Sequence, residues 1–107
     1  MRTKSVIIDA VRSPIGVKNG QLVGMRPDDL TAQVIKGLLA RNEKVKPEDI
    51  EDVVVGCAFP EGPQGMIIGR SAAVLAGIPK EAGGKVVNRF CGSAMDGLHQ
   101  MSTAIEC

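Results

Sequence analysis

The sequence has 107 residues, of which 44% are hydrophobic and 23% are charged, and its formal net charge is +1. This length and composition fit one globular domain rather than a disordered chain. With 13 basic residues against 12 acidic ones, no basic cluster, two Phe and neither Tyr nor Trp, the chain lacks the charge and the stacking platforms of a nucleic-acid binder.

No segment predicts a leader or a membrane span, because the apolar run after Lys4 is too short for either. The three cysteines, Cys57, Cys91 and Cys107, are odd in number and contain no CxxC pair. A disulfide framework and a metal site are therefore not expected. The expected setting is a reducing one, the cytoplasm.

The first half of the chain predicts one strand and one helix. Residues 4–9 (KSVIID) are short, apolar and β-branched, which favours a buried strand entering a loop. Residues 16–27 predict an irregular loop. Asp28 or Asp29 can cap a helix that ends near Asn42, with an apolar stripe at Leu30, Val34, Ile35, Leu38 and Leu39. Residues 47–50 predict a single helical turn that begins at a proline.

The second half continues the alternation. Residues 52–57 predict a buried strand, 66–76 a helix closed by Gly77, and 85–88 a third strand. Residues 93–105 predict a helix whose inner face carries Met95, Leu98, Ser102 and Ile105. The order βαβαβα favours a mostly parallel α/β sheet with flanking helices. Because no closing strand follows this helix, we expect residues 1–107 to be part of a larger domain.

Cys91 lies in the turn between the third predicted strand and the last predicted helix. The first turn of a helix has backbone N–H groups without partners and a partial positive charge, and both favour a thiolate over a thiol. The same N–H groups could stabilise an oxyanion. Small residues follow at 92–94 and leave room for a bulky thioester. On this reasoning alone, Cys91 is either a reactive nucleophile or a buried small hydrophobe.

The stretch VNRFCGSAMDGLHQMSTAI resembles the acyl-enzyme signature of the thiolase family, through Val87, Asn88, Cys91, Gly92, Ser93, Ala94, Met95, Gly97, Leu98 and Ile105. The opening residues 6–16 resemble the first strand of that family and its Arg-Thr-Pro loop. Residues 56–62, with 64–66 and 69–70, are similar to degradative 3-ketoacyl-CoA thiolases. The resemblance extends along the whole chain.

This resemblance implies the N-terminal layered domain of the thiolase fold, with Cys91 as the nucleophile that carries the acyl group. It implies thiolytic cleavage of a 3-ketoacyl-CoA in fatty-acid β-oxidation, with acyl-CoA and CoA as substrates and no tightly bound cofactor. In thiolases a histidine, a second cysteine and further groups complete the site. They have no counterpart here, so these 107 residues alone are expected to be inactive. The resemblance also implies a homodimer that pairs along residues 85–88.

Three alternatives stay open. The parent could be an acetoacetyl-CoA thiolase working in the biosynthetic direction, or a condensing enzyme such as a 3-ketoacyl synthase, although Asn88-Arg89-Phe90 argues against the latter. The isolated chain could also be a non-catalytic assembly unit.

Several other residues are expected to be structural or incidental. His99 lies about 12 Å along the helix from Cys91, which is too far for a base. Cys57 is expected to be structural and Cys107 incidental. Asp96 should point roughly 140° away from Cys91. The glycines at 62, 65 and 69 match no phosphate loop and predict a turn.

Overall fold

The computed structural model describes residues 3–107. It contains three α-helices, two β-strands and two single turns of 3₁₀ helix. In chain order these are α1 (Pro27–Arg41), a 3₁₀ turn (Pro47–Asp49), β1 (Val54–Gly56), a 3₁₀ turn (Gly62–Gln64), α2 (Ile68–Leu75), β2 (Lys85–Val87) and α3 (Ser93–Glu106).

The two strands form a parallel pair joined through α2. Val54 lies opposite Lys85, and Gly56 lies opposite Val87. The ladder extends at both ends, because the Lys85 N–H donates to Val53 O at 2.9 Å and the Cys57 N–H donates to Val87 O at 3.0 Å. The chain is therefore an α/β structure with a small parallel sheet, and the predicted pairing of the second and third strands is confirmed.

The strand predicted at residues 4–9 is wrong in this structure. The segment has no assigned strand, and Val6, Ile7 and Ile8 are exposed. Side chains hold it at its two ends. The Ser5 hydroxyl lies 2.6 Å from the Ser102 hydroxyl, and Asp9 accepts hydrogen bonds from the ends of the Arg41 and Asn42 side chains at 2.7 and 2.8 Å. Because no neighbouring strand within residues 3–107 pairs with it, its β-branched residues do not form a ladder.

Asp9 fixes this segment against the C-terminal end of α1. The hydrogen bond from the Asn42 amide, that from the Ala10 N–H and the pairing with Arg41 hold the pKa of Asp9 below its ordinary value. The carboxylate thus remains charged and keeps its partners at neutral pH.

The helix predicted from about residue 28 to residue 42 is confirmed, but its predicted caps are wrong. Arg26 occupies the cap position and makes no side-chain capping bond. Pro27 sets the first turn, and both aspartates lie inside it, where carboxylates suit the helix dipole. The Arg26 guanidinium, 3.0 Å from the Asp28 carboxylate, lowers the pKa of that carboxyl.

The core is built from small side chains between α1, α2 and the loop before β2. Its buried members are Ala32, Ala73, Ala76, Ile78 and Ala82, with Ile35, Leu39, Ile50 and Val53 packed against them. Small side chains let the helices approach closely.

Within residues 3–107, no helix is long and apolar enough to cross a membrane.

The inner face predicted for α3 is confirmed only at Ser102, which is half-buried, and is wrong at its three apolar positions. Met95, Leu98 and Ile105 are exposed, whereas Ser93 and Gly97 are the buried positions. A Cβ placed on Gly97 would lie 3.1 Å from Val54 Cγ2, so this glycine brings α3 directly onto β1. The helix therefore packs through its small residues and leaves Met95, Leu98 and Ile105 on the surface.

Candidate active site

Cys91 lies in the turn that connects β2 to α3, as the sequence predicted, and its side chain is exposed. The residue before it, Phe90, has φ of +47°. A left-handed backbone in a non-glycine residue costs about 1–2 kcal/mol. The neighbouring structure therefore has to hold this turn in place.

Hydrogen bonds within the turn stabilise the left-handed conformation of Phe90. The Phe90 N–H donates to Asn88 Oδ1 at 3.1 Å, and the Gly92 N–H donates to Arg89 O at 3.0 Å. Ser93 contributes three bonds: its N–H donates to Phe90 O at 3.2 Å, its Oγ accepts from the Arg89 N–H at 2.8 Å, and its Oγ–H donates to Phe90 O at 2.6 Å. These hydrogen bonds thus join the residues before Cys91 to the residues after it.

The start of α3 also retains free donors. Gly92 is the cap residue, and no side chain caps the helix. Within residues 3–107, the N–H groups of Cys91 and Ala94 donate to no backbone or side-chain acceptor, whereas those of Gly92 and Ser93 are used by the turn. Backbone N–H groups at a helix start can bind a developing oxyanion. Because Gly56 packs against Ala94 N, the candidate for that role beside the thiol is the amide of Cys91 itself.

A charged pair lies beside the turn. The Arg89 guanidinium is 2.9 Å from Asp96 Oδ1, and the Gln100 amide donates to Asp96 Oδ2 at 2.9 Å. Asp96 thus faces Arg89 rather than standing alone near the thiol. Its negative charge is balanced within the site.

Gly56, the last residue of β1, positions the helix beneath Cys91. A Cβ at this position would lie 2.4 Å from Ala94 N and 2.7 Å from Ala94 Cα. Real Cβ atoms do not approach backbone this closely, so only glycine lets α3 begin here. Sequence reasoning missed this role, although a glycine at the end of a buried strand is a known sign of close backbone approach.

Gly69 likewise allows α2 to approach the backbone of β2, since a Cβ there would lie 2.2 Å from Lys85 O. It lies inside the helix rather than in the predicted turn. Gly62 begins the preceding 3₁₀ turn with φ of +56°, as a turn glycine would.

The other two cysteines and the histidine lie apart from this site. Cys57 is buried at the end of β1, where its N–H completes the ladder. Cys107 is exposed at the last position of the chain. His99 is exposed on α3, six residues beyond Ser93 and so about 9 Å further along the helix axis. The structure therefore does not bring His99 to Cys91.

An exposed cysteine between a parallel strand and a helix start is a candidate nucleophile, and comparison with known proteins identifies the family of the chain. Residues 5–107 match the family model described as thiolase, N-terminal domain. The chain belongs to the thiolase family.

Curated relatives agree with that assignment. The 3-ketoacyl-CoA thiolase of Colwellia psychrerythraea is 48% identical over 101 residues, which cover 94% of this chain and 26% of that protein. The 3-ketoacyl-CoA thiolase of Shewanella loihica is 48% identical over 103 residues, covering 95% of this chain and 27% of that protein. The chain thus spans about a quarter of the length of these relatives.

Proposed function

We propose that this chain supplies the acyl-carrying nucleophile, Cys91, of a 3-ketoacyl-CoA thiolase. The observation that carries the proposal is the exposed thiol in the turn that leads into α3, with the N–H of Cys91 itself free of any acceptor in the described chain. A thiolate is the nucleophilic form of cysteine.

The proposed reaction has two steps. In the first, the Cys91 thiolate attacks the 3-keto carbon of a 3-ketoacyl-CoA, and the bond between C2 and C3 breaks. The electron pair of that bond leaves on C2, which takes a proton and departs as acetyl-CoA, while the shortened acyl group stays on sulfur. In the second step, the thiolate of free CoA attacks this thioester and releases the shortened acyl-CoA and the Cys91 thiolate. Donation from the free Cys91 N–H to the carbonyl oxygen, as that oxygen gains charge, would lower the barrier of both attacks.

The relatives favour the degradative direction, since both are named 3-ketoacyl-CoA thiolase. We therefore place the activity in fatty-acid β-oxidation, with CoA and acyl-CoA as substrates rather than as tightly bound cofactors. An acetoacetyl-CoA thiolase acting in the biosynthetic direction is the alternative, and acyl-chain length in a substrate panel separates the two.

The thiol reactivity of Cys91 tests the proposal. We expect iodoacetamide at neutral pH to label Cys91 faster than Cys57 or Cys107, because Cys91 alone combines exposure with a helix start. Peptide mass mapping after short exposure measures the three rates in one sample. In urea-unfolded protein the three rates should converge, which controls for intrinsic differences between the peptides.

The comparison with Cys107 is the stringent one, since that thiol is also exposed. If Cys107 reacts as fast as Cys91 in the folded protein, exposure alone explains the labelling. The assignment of Cys91 as nucleophile would then fail.

A further inference from the structure

Ser93 is a buried polar residue at the start of α3, with 4% of its surface exposed. A buried hydroxyl has to be hydrogen-bonded. The Ser93 hydroxyl finds its partners in the turn that precedes the helix. It accepts from the Arg89 N–H and donates to the Phe90 carbonyl, both of which precede Cys91.

Ser93 bonds directly to the left-handed residue, Phe90. Phe90 O accepts from both the Oγ–H and the N–H of Ser93, at 2.6 and 3.2 Å. Because Phe90 at φ of +47° is unfavourable for a side chain, its conformation persists only if neighbours impose it. Ser93 is the neighbour with the most bonds to this turn.

From these contacts we infer that Ser93 is a positioning residue for Cys91, acting by holding Phe90 in its left-handed conformation. This inference rests on the proposed role of Cys91. It adds a residue that touches no substrate and whose hydroxyl sets the direction and reactivity of the thiol.

The test compares Ser93→Ala with Ser71→Ala, which makes the same substitution at an exposed position of α2. The readout is the ratio of iodoacetamide labelling at Cys91 to that at Cys107, measured across a range of pH, with the unfolding midpoint recorded in parallel. We expect Ser93→Ala to lower the ratio about fivefold, the factor that corresponds to one net hydrogen bond. Ser71→Ala should leave it unchanged.

A second set of variants, made in the Phe90→Gly protein, distinguishes a positioning role of Ser93 from a general contribution to stability. Phe90→Gly removes the strain of the left-handed residue, because glycine adopts positive φ freely. In that background, adding Ser93→Ala should change the labelling ratio by less than twofold, by the logic of a double-mutant cycle. This comparison also remains readable if Ser93→Ala alone folds poorly.

The outcomes are distinguishable. If the unsubstituted chain shows no preference for Cys91, the proposed function fails. If the preference is present and Ser93→Ala leaves it unchanged, the inference about Ser93 fails alone. An equal loss in both backgrounds would also overturn it, because the effect would then not pass through Phe90.

Discussion

Gly56 shows how a single missing side chain determines the geometry beneath Cys91. Its Cα faces the backbone of Ala94 at a distance that leaves no room for a Cβ. We expect Gly56→Ala to push the start of α3 away from β1 and to lower the free energy of unfolding by about 1–3 kcal/mol, the usual cost of overpacking. Urea denaturation measures the loss, and labelling should show Cys91 losing its advantage over Cys107.

Gly37 supplies the matched control for that prediction. It lies within α1, and a Cβ there would meet nothing within 4 Å. Alanine is the better helix former, so Gly37→Ala should raise the free energy of unfolding by up to about 1 kcal/mol. A similar loss in both variants would show that Gly56 is sensitive for reasons other than its contact with Ala94.

At the scale of residues, the position of Cys91 in the turn between β2 and α3 was predictable. The residues before it have the pattern of a strand and those after it the pattern of a helix. The sequence did not reveal what Ser93 does. In the sequence Ser93 is one of three small residues after the cysteine, and only the coordinates show its hydroxyl turned back toward Arg89 and Phe90. The direction of a side chain in a tight turn depends on the backbone, which composition does not encode.

At the scale of elements, α3 carries Cys91 at its start and His99 two turns further on. A general base has to lie within about 3 Å of the proton it takes, and a helix advances 1.5 Å per residue. His99 therefore cannot activate the thiol, and we propose that turnover needs groups that residues 3–107 do not supply. Incubated alone with acetoacetyl-CoA and CoA, this chain should release acetyl-CoA no faster than a Cys91→Ser control. Turnover above that control would reveal a catalytic partner within the chain.

The helices and the parallel pair were predictable because each has its own local pattern and boundary residues, such as Gly77 after α2. Two features were not. The apolar run at 6–8 indicates a strand but does not specify a partner, and no partner lies within the described residues. The face of α3 that packs on β1 is marked by Ser93 and Gly97, which hydrophobic periodicity overlooks.

At the scale of the whole molecule, β2 has an edge available for pairing. Lys85 and Val87 bond to β1, and alternate residues of a parallel strand face opposite neighbours, so the N–H and C=O of Val86 face away from β1. An edge of this kind is a template for another strand. We propose that two copies of the chain pair along Lys85 to Asn88.

Light scattering tests this pairing. The unsubstituted chain should have twice the monomer mass of 11.2 kDa. Val86→Pro should be monomeric, since it removes the outward N–H but keeps the ladder to β1. Ile7→Asp, placed in the exposed apolar run, should remain dimeric. If Ile7→Asp is the variant that becomes monomeric, association runs through that apolar run and not through β2.

The glycines beneath the two helices have a consequence for mutational tolerance. Every missense change at Gly56 or Gly69 adds a Cβ, and at both positions that atom would meet backbone rather than a movable side chain. Tolerance there is set by the neighbouring main chain and not by the chemistry of the replacement. In a saturation screen for activity, we expect these two positions to be as intolerant as a catalytic residue, although glycine carries no reactive side chain. In the role proposed for it, Cys91 would in contrast be intolerant for its chemistry alone, because its exposed position has room for other side chains.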